Sequence, residues 1–173
     1  MSELPSKSSS ISFRRVTAKT VWDVCCLSET LSDAQRSMIA DNGSSIAEAH
    51  FSENAWFRAV YADETIVGFI MLHIGSDHDD GIEYPGAFLW RFMIGGRFQR
   101  LGFGRAAIEL LARDLKFRGF QELRVGYGIG EGSPEPFYSS LGFVPTGRKY
   151  GEEELEAALK FPSQHDDFVE LSA

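Results

Sequence analysis

"AFLWRFMIGGRFQRLGFGRAAIELLARDL", residues 87–115, runs from an apolar segment through a glycine- and arginine-rich turn into an amphipathic pattern. Residues 87–94 predict a strongly apolar strand. From Gly102 to Arg118 the spacing predicts a helix, with Gly104, Ile108, Leu111 and Leu115 on one side and Ala107 and Leu110 widening the stripe. Glu109 and Arg113 form an i,i+4 pair on the wet side, and Gly119 is the expected C-terminal residue. Between Gly86 and Ile108 there is no Asp or Glu, but there are Arg91, Arg97, Arg100 and Arg105. A helix N-terminus offers unpaired N–H groups and roughly half a positive charge. Gly102 and Gly104, lacking Cβ atoms, let a ligand touch the backbone. The segment therefore predicts an anion site, most simply for phosphate.

The rest of the chain places this unit in a sheet. Residues 1–10 are polar and Ser-rich and are expected to be a disordered tail, leaving 11–173 as a single domain. "ISFRRV" (11–16) predicts a first strand. Two or three short helical pieces follow between Thr20 and His50, with Ser32 and Gln35 spaced as a capping box and "DNGSS" (41–45) as a loop. "AWFRAVYA" (55–62) and "TIVGFIMLHI" (65–74) predict a hairpin, and 75–86 is a polar loop. "ELRVGYG" (122–128) is the next strand, 133–143 holds one or two helical turns, and "FVPTG" begins a further strand. In the final segment Leu155, Ala157, Leu159 and Phe161 alternate, which favours a strand over the helix its propensities allow. The order predicts an α/β fold: a mixed, mostly antiparallel sheet flanked by helices, with one βαβ crossover over 87–128.

Composition narrows the function classes. The chain has 173 residues, 43% hydrophobic and 13% aromatic, as a globular protein does. Its 17 Lys and Arg against 25 Asp and Glu give a net charge of −8. That balance argues against nonspecific nucleic-acid binding and is compatible with a cationic substrate. No stretch reaches the roughly 18 apolar residues of a membrane span, and the first residues lack a signal-peptide pattern. Cys25 and Cys26 are adjacent, expected as small core residues and unable to build a disulfide framework. These features predict a cytoplasmic protein. His50, His73, His78 and His165 show no ligand spacing, so no metal is expected.

Three readings of the glycine-rich turn compete. It can be an ordinary turn with surface arginines. "GFGRAA" also satisfies the dinucleotide pattern G-x-G-x-x-A, but seven residues separate Ile94 from Gly102, whereas that fingerprint turns directly out of its strand. The P-loop fails, having no Gly-Lys-Ser/Thr, and no G-x-S-x-G supports hydrolase chemistry. The third reading is a resemblance. "QRLGFG" (99–104) matches the Q/R-x-x-G-x-G/A motif of the GNAT acyl-CoA N-acyltransferase superfamily. "FYSSLGF" (137–143) resembles its second signature, one helix and one strand later. "FLWRFMI…FQRLGFGRAA" is further similar to a bacterial branch that includes polyamine and diamine acetyltransferases. The chain departs from the pattern at Glu131, where many relatives carry Asn, at Pro134, and at Gly95, where many carry an acid.

The resemblance implies acetyl-CoA as cosubstrate, its pyrophosphate held by the backbone over Gln99, Arg100, Leu101, Gly102, Phe103, Gly104 and Arg105. It implies that Phe92, Met93 and Ile94 pair with the pantetheine arm, that Tyr138 protonates the departing thiolate, and that a homodimer is allowed. An alkylamine with a pKa near 10.4 costs roughly 4–5 kcal/mol to neutralise at pH 7, and a carboxylate, directly or through water, can take that proton. Glu83, in the loop leading into strand 87–94, is the candidate. The expected acceptor is a small-molecule amine such as a polyamine, with a protein, peptide or antibiotic amine as the alternative. A non-catalytic CoA-binding regulator of the same fold is the non-enzymatic reading.

Overall fold

The apolar run 55–74 folds as its polar interruption implies. In the computed structural model, which describes residues 4–162, β1 (Ile11–Arg14) pairs with β2 (Ala55–Ala62), and β2 pairs with β3 (Thr65–Ile74), all antiparallel. The β2–β3 turn places Asp63 at φ 52°, a left-handed conformation that Asp tolerates better than most residues. β4 (Ala87–Ile94) lies antiparallel to β3. The chain then crosses over through helix Phe103–Phe117 to β5 (Glu122–Gly128), parallel to β4. β6 (Val144–Tyr150) and β7 (Glu154–Lys160) complete a seven-stranded sheet in the order β1-β2-β3-β4-β5-β7-β6. This is the mixed, mostly antiparallel α/β sheet that the sequence predicts, and the final segment is a strand.

Four short helices accompany the crossover helix. They are α1 (Val21–Cys26), α2 (Asp33–Arg36), α3 (Asn42–Phe51) and, after β5, α5 (Glu135–Ser140); the crossover helix is α4. Ser32 and Gln35 form the capping box at the start of α2. Residues 41–45, expected as a loop, instead begin α3. Asp41 accepts the Ser44 N–H at 2.9 Å, satisfying a donor that a helix start leaves free.

α4 buries Phe103, Ala107, Ile108, Leu111 and Leu115 in the same core as Phe69, Ile70, Leu89 and Leu123. Gly104, expected on that stripe, is half-buried, and Phe103 fills the first turn instead. Glu109 reaches back to Arg105 at 3.7 Å in place of the expected Arg113, since helical side chains lean toward the N-terminus. Gly119, at φ 90°, ends the helix, with Phe120 N–H on the Leu115 carbonyl and Gly119 N–H on that of Lys116. Those two bonds make a Schellman cap.

Of the expected tail, residues 1–3 lie outside the described residues, as does His165. Ser6–Ser9 close a turn, and the Ser10 N–H donates to Asp63. Cys25 and Cys26 are half-buried and unpaired. Among the described residues no helix is long and apolar enough to cross a membrane.

The α1–α2 region is clamped against the end of β4. Gly96 donates its N–H to Thr30 Oγ1 at 2.8 Å, and a Cβ there would stand 2.0 Å from the Thr30 carbonyl oxygen. Gly96→Ala should therefore lower stability by about 1–3 kcal/mol, as overpacking does. Urea denaturation checks this, and parental stability would mean that the contact gives way freely.

Candidate active site

Only Ala87–Leu89 of β4 pair with Leu123–Val125 of β5. Beyond these rungs the strands part, and a cleft of about 1150 Å³ opens between them. At the same point β4 carries a bulge. Arg91 lies opposite Met71 and Leu89 opposite Leu72, so Trp90 is the extra residue. Bulges re-aim side chains, and Trp90 and Arg91 both line the cleft. Arg91 donates to Glu48 at 3.0 Å, and its Nε is buried without a partner among the described residues.

One end of the cleft is built from the turn 99–105. Arg100 and Gly102 are left-handed, at φ 61° and 89°. Among the described residues, the N–H groups of residues 100 to 105 have no acceptor, and the first satisfied one is Ala106, on the Gly102 carbonyl at 3.0 Å. Consecutive free amides in such a turn form an anion-binding concavity, here at the start of a helix. A Cβ on Gly102 would meet nothing within 4 Å, whereas one on Gly104 would press on the Phe137 ring at 3.2 Å. Gly102 is thus the open glycine, and Gly104 lacks a side chain because Phe137 packs there.

The other expected contacts divide by position. Phe92, Met93, Ile94, Gln99, Arg100 and Arg105 line the cleft. Leu101 and Phe103 turn their side chains to the core and offer the cleft only backbone. Gln99 is a strut, donating to the Ile94 carbonyl at 2.9 Å and exchanging amide hydrogen bonds with Gln35. Arg105 holds the Ser140 carbonyl at 3.1 Å, joining α4 to α5.

Tyr138 lies on α5, 5% exposed, stacked on Tyr127 at 5.9 Å and edge-on to Phe137 and Phe143. The Leu-Gly-Phe that follows is a helix stop: Gly142 is at φ 92°, and Phe143 and Gly142 donate to the carbonyls of Tyr138 and Ser139. This second Schellman cap seats Phe143 on the Tyr138 ring. Burial pushes the Tyr138 hydroxyl well above its ordinary value, so it keeps its proton at every physiological pH. Tyr138 lines the cleft.

Glu83 is not brought into the cleft. Its carboxylate is 59% exposed and bound to Arg148 at 3.1 Å, with no place among the cleft-lining residues. The acid that the same loop delivers there is Asp80. Asp80 accepts from Ser52 Oγ and lies 3.0 Å from Nε2 of His73, which is fully buried. The sequence signal for His73 was a titratable ring inside the apolar run 65–74. Glu154 and Tyr150 also line the cleft. Burial, then Glu156, drives the Tyr150 hydroxyl upward. Among the described residues no three His, Cys, Asp or Glu gather as a metal site requires.

Comparison with known proteins fits this geometry. The model of the acetyltransferase (GNAT) family matches residues 21–143. An acetyltransferase from Thermus thermophilus is 17% identical, with a TM-score of 0.70 over 88% of this chain and 97% of that one. The PaiA N-acetyltransferase of Thermoplasma acidophilum, solved with coenzyme A, is 17% identical with a TM-score of 0.60 over 88% and 99%. A GNAT acetyltransferase from Elizabethkingia anophelis, solved with acetyl-CoA, is 15% identical with a TM-score of 0.60 over 88% and 99%. None of the curated proteins compared with the chain matches it. The neighbours share the fold, and the family match runs from α1 through both signatures to Phe143: the chain belongs to the GNAT acetyltransferase family.

Proposed function

We propose that the protein moves an acetyl group from acetyl-CoA to a primary amine by direct attack on the thioester. The observation that carries this reading is the run of free N–H groups over residues 100–105 at the mouth of a cleft containing Tyr138. Those amides, with Arg100 beside them, suit a pyrophosphate in charge and number. The edge of β4 that β5 leaves unpaired, Phe92–Ile94, suits the amides of a pantetheine arm as a strand suits its neighbour. Two structural neighbours, solved with coenzyme A and with acetyl-CoA, support the same cosubstrate.

The chemistry needs a neutral amine, a donor for the carbonyl oxygen and a proton for the sulfur. The amine nitrogen bonds to the acetyl carbon while a backbone N–H at the end of β4 stabilises the oxyanion. As the C–S bond breaks, Tyr138 gives its proton to the sulfur. The proton that the new amide nitrogen sheds then restores the hydroxyl. The cleft lining also includes the carboxylates of Asp80 and Glu154 and the apolar side chains of Trp90 and Met38. That lining favours a cationic amine with an apolar body, and a polyamine or diamine such as spermidine is the acceptor we infer.

Coenzyme A should raise the Tm of the parent protein. Gly102→Val, which puts a β-branched side chain into the open face at φ 89°, should weaken coenzyme A at least about tenfold, or roughly 1.4 kcal/mol. A folded variant with parental affinity would overturn the phosphate cradle.

Tyr138→Phe should keep coenzyme A binding and slow turnover by roughly a hundredfold, the usual scale for losing a general acid. The parental rate should show no loss from Tyr138 ionisation below about pH 10, the ordinary tyrosine value, because burial moves this hydroxyl upward. Unchanged turnover in the variant would assign the ring to packing alone.

Spermidine should be acetylated with a KM that rises with ionic strength, as screening predicts. Release of thiol only with a peptide or antibiotic amine would replace the polyamine as acceptor.

A further inference from the structure

We infer that Asp80 is the catalytic residue that takes the proton from the acceptor amine, and that His73 is the positioning residue behind it. This rests on the proposed acetyl transfer. The two oxygens of Asp80 are differently placed. Oδ2 accepts from Ser52 Oγ and faces His73 Nε2 at 3.0 Å, while Oδ1 has no partner among the described residues. The side chain is 16% exposed, and the residue lines the cleft. A carboxylate with one oxygen held by two partners and the other unpartnered, on a residue that lines the cleft, is oriented and still has an oxygen with which to accept a proton.

His73 is oriented in turn. Its ring is fully buried, edge-on to Trp90 at 5.3 Å, and its Nδ1 has no partner among the described residues. Protonating Nδ1 would bury an N–H donor without an acceptor, a costly arrangement. The geometry therefore assigns the ring hydrogen to Nε2, donating to Asp80. The step balances simply: the ammonium group gives one proton to Oδ1, leaving a neutral amine and a carboxylic acid. The amine lone pair is then free to attack the thioester carbon, and the acid returns its proton to water after product leaves. Besides His73, the titratable and charged groups about Asp80 are Asp77, His78, Asp79 and Glu83 in its own loop, and Arg91, Arg100, Arg105, Tyr127, Tyr138, Tyr150 and Glu154 elsewhere on the cleft wall.

The test is thiol release from acetyl-CoA by the full chain between about pH 6.5 and about pH 9.5, a range that climbs toward the amine pKa. The probes are spermidine, putrescine and 2-phenylethylamine. Asp80→Asn should lower kcat/KM about a hundredfold near neutrality. The deficit should shrink by about tenfold per pH unit, because the variant depends on amine already neutral in solution. The coenzyme A-induced rise in Tm should be unchanged. Asp80→Glu keeps a carboxylate, so it should retain the parental pH slope at a reduced rate. It also serves where the Asn variant folds poorly. Parental activity in Asp80→Asn, or a loss that is uniform across pH, overturns the assignment while acetyl transfer stands. A parent protein that binds coenzyme A yet releases no thiol with any of these probes, nor with a peptide or aminoglycoside amine, overturns acetyl transfer to amines and this assignment together.

Discussion

Three rungs of parallel pairing hold β4 to β5, and the geometry of the site follows from their ending at Leu89 and Val125. Backbone amides and carbonyls require partners, and over residues 90–94 β5 supplies none, side chains reaching only the Trp90 and Ile94 carbonyls. A strand edge left open inside a domain is a binding surface by default. It persists only if its walls are prevented from closing. Gly96 against Thr30 and Gln99 against Gln35 pin one wall, and Arg105 on Ser140 spaces α5 from α4.

The opposite wall is spaced by charge. Glu156 is 1% exposed, yet both its oxygens are used, one by Arg124 and Thr146 and the other by Tyr150. Arg124 is shared with Glu122, which also accepts from Tyr84. Removing one partner from such a buried network leaves a charge uncompensated and is far costlier than never building it. β5, β6 and β7 are thereby fixed as one slab, with Tyr150 seated against Phe88 at the cleft.

Much of this was legible in the residues. The strand–turn–helix at 87–117 was readable because period and punctuation agree there: an apolar run, four glycines and a 3.6-residue stripe. Tyr138 was legible only through its resemblance, and the structure supplies the physical content, a helix stop that lays Phe143 on the ring. The failures share a cause, which is that burial across the fold is not local. Alternation in 155–161 left Glu156 for solvent, but the irregular β6 pairing between Pro145 and Lys149 folds Thr146 and Tyr150 over it. Glu83 and Asp80 look equivalent in a polar loop. Arg148, distant in sequence, draws one outward, and His73 holds the other inward. Gly104 does line the cleft, but the ring that crowds its Cβ position, Phe137, comes from a later helix and could not be read locally.

The irregular pairing of β6 also bears on how the molecule behaves among its own copies. A sheet edge invites an added strand when it presents a flat, continuous ladder. Here β6 is interrupted between Pro145 and Lys149, includes a proline, which has no N–H to donate, and sets Arg148 and Lys149 along an exposed run. The opposite edge, β1, is only four residues long. Among the described residues both borders are thus short or broken templates for an added strand, the kind of edge that discourages fibre growth.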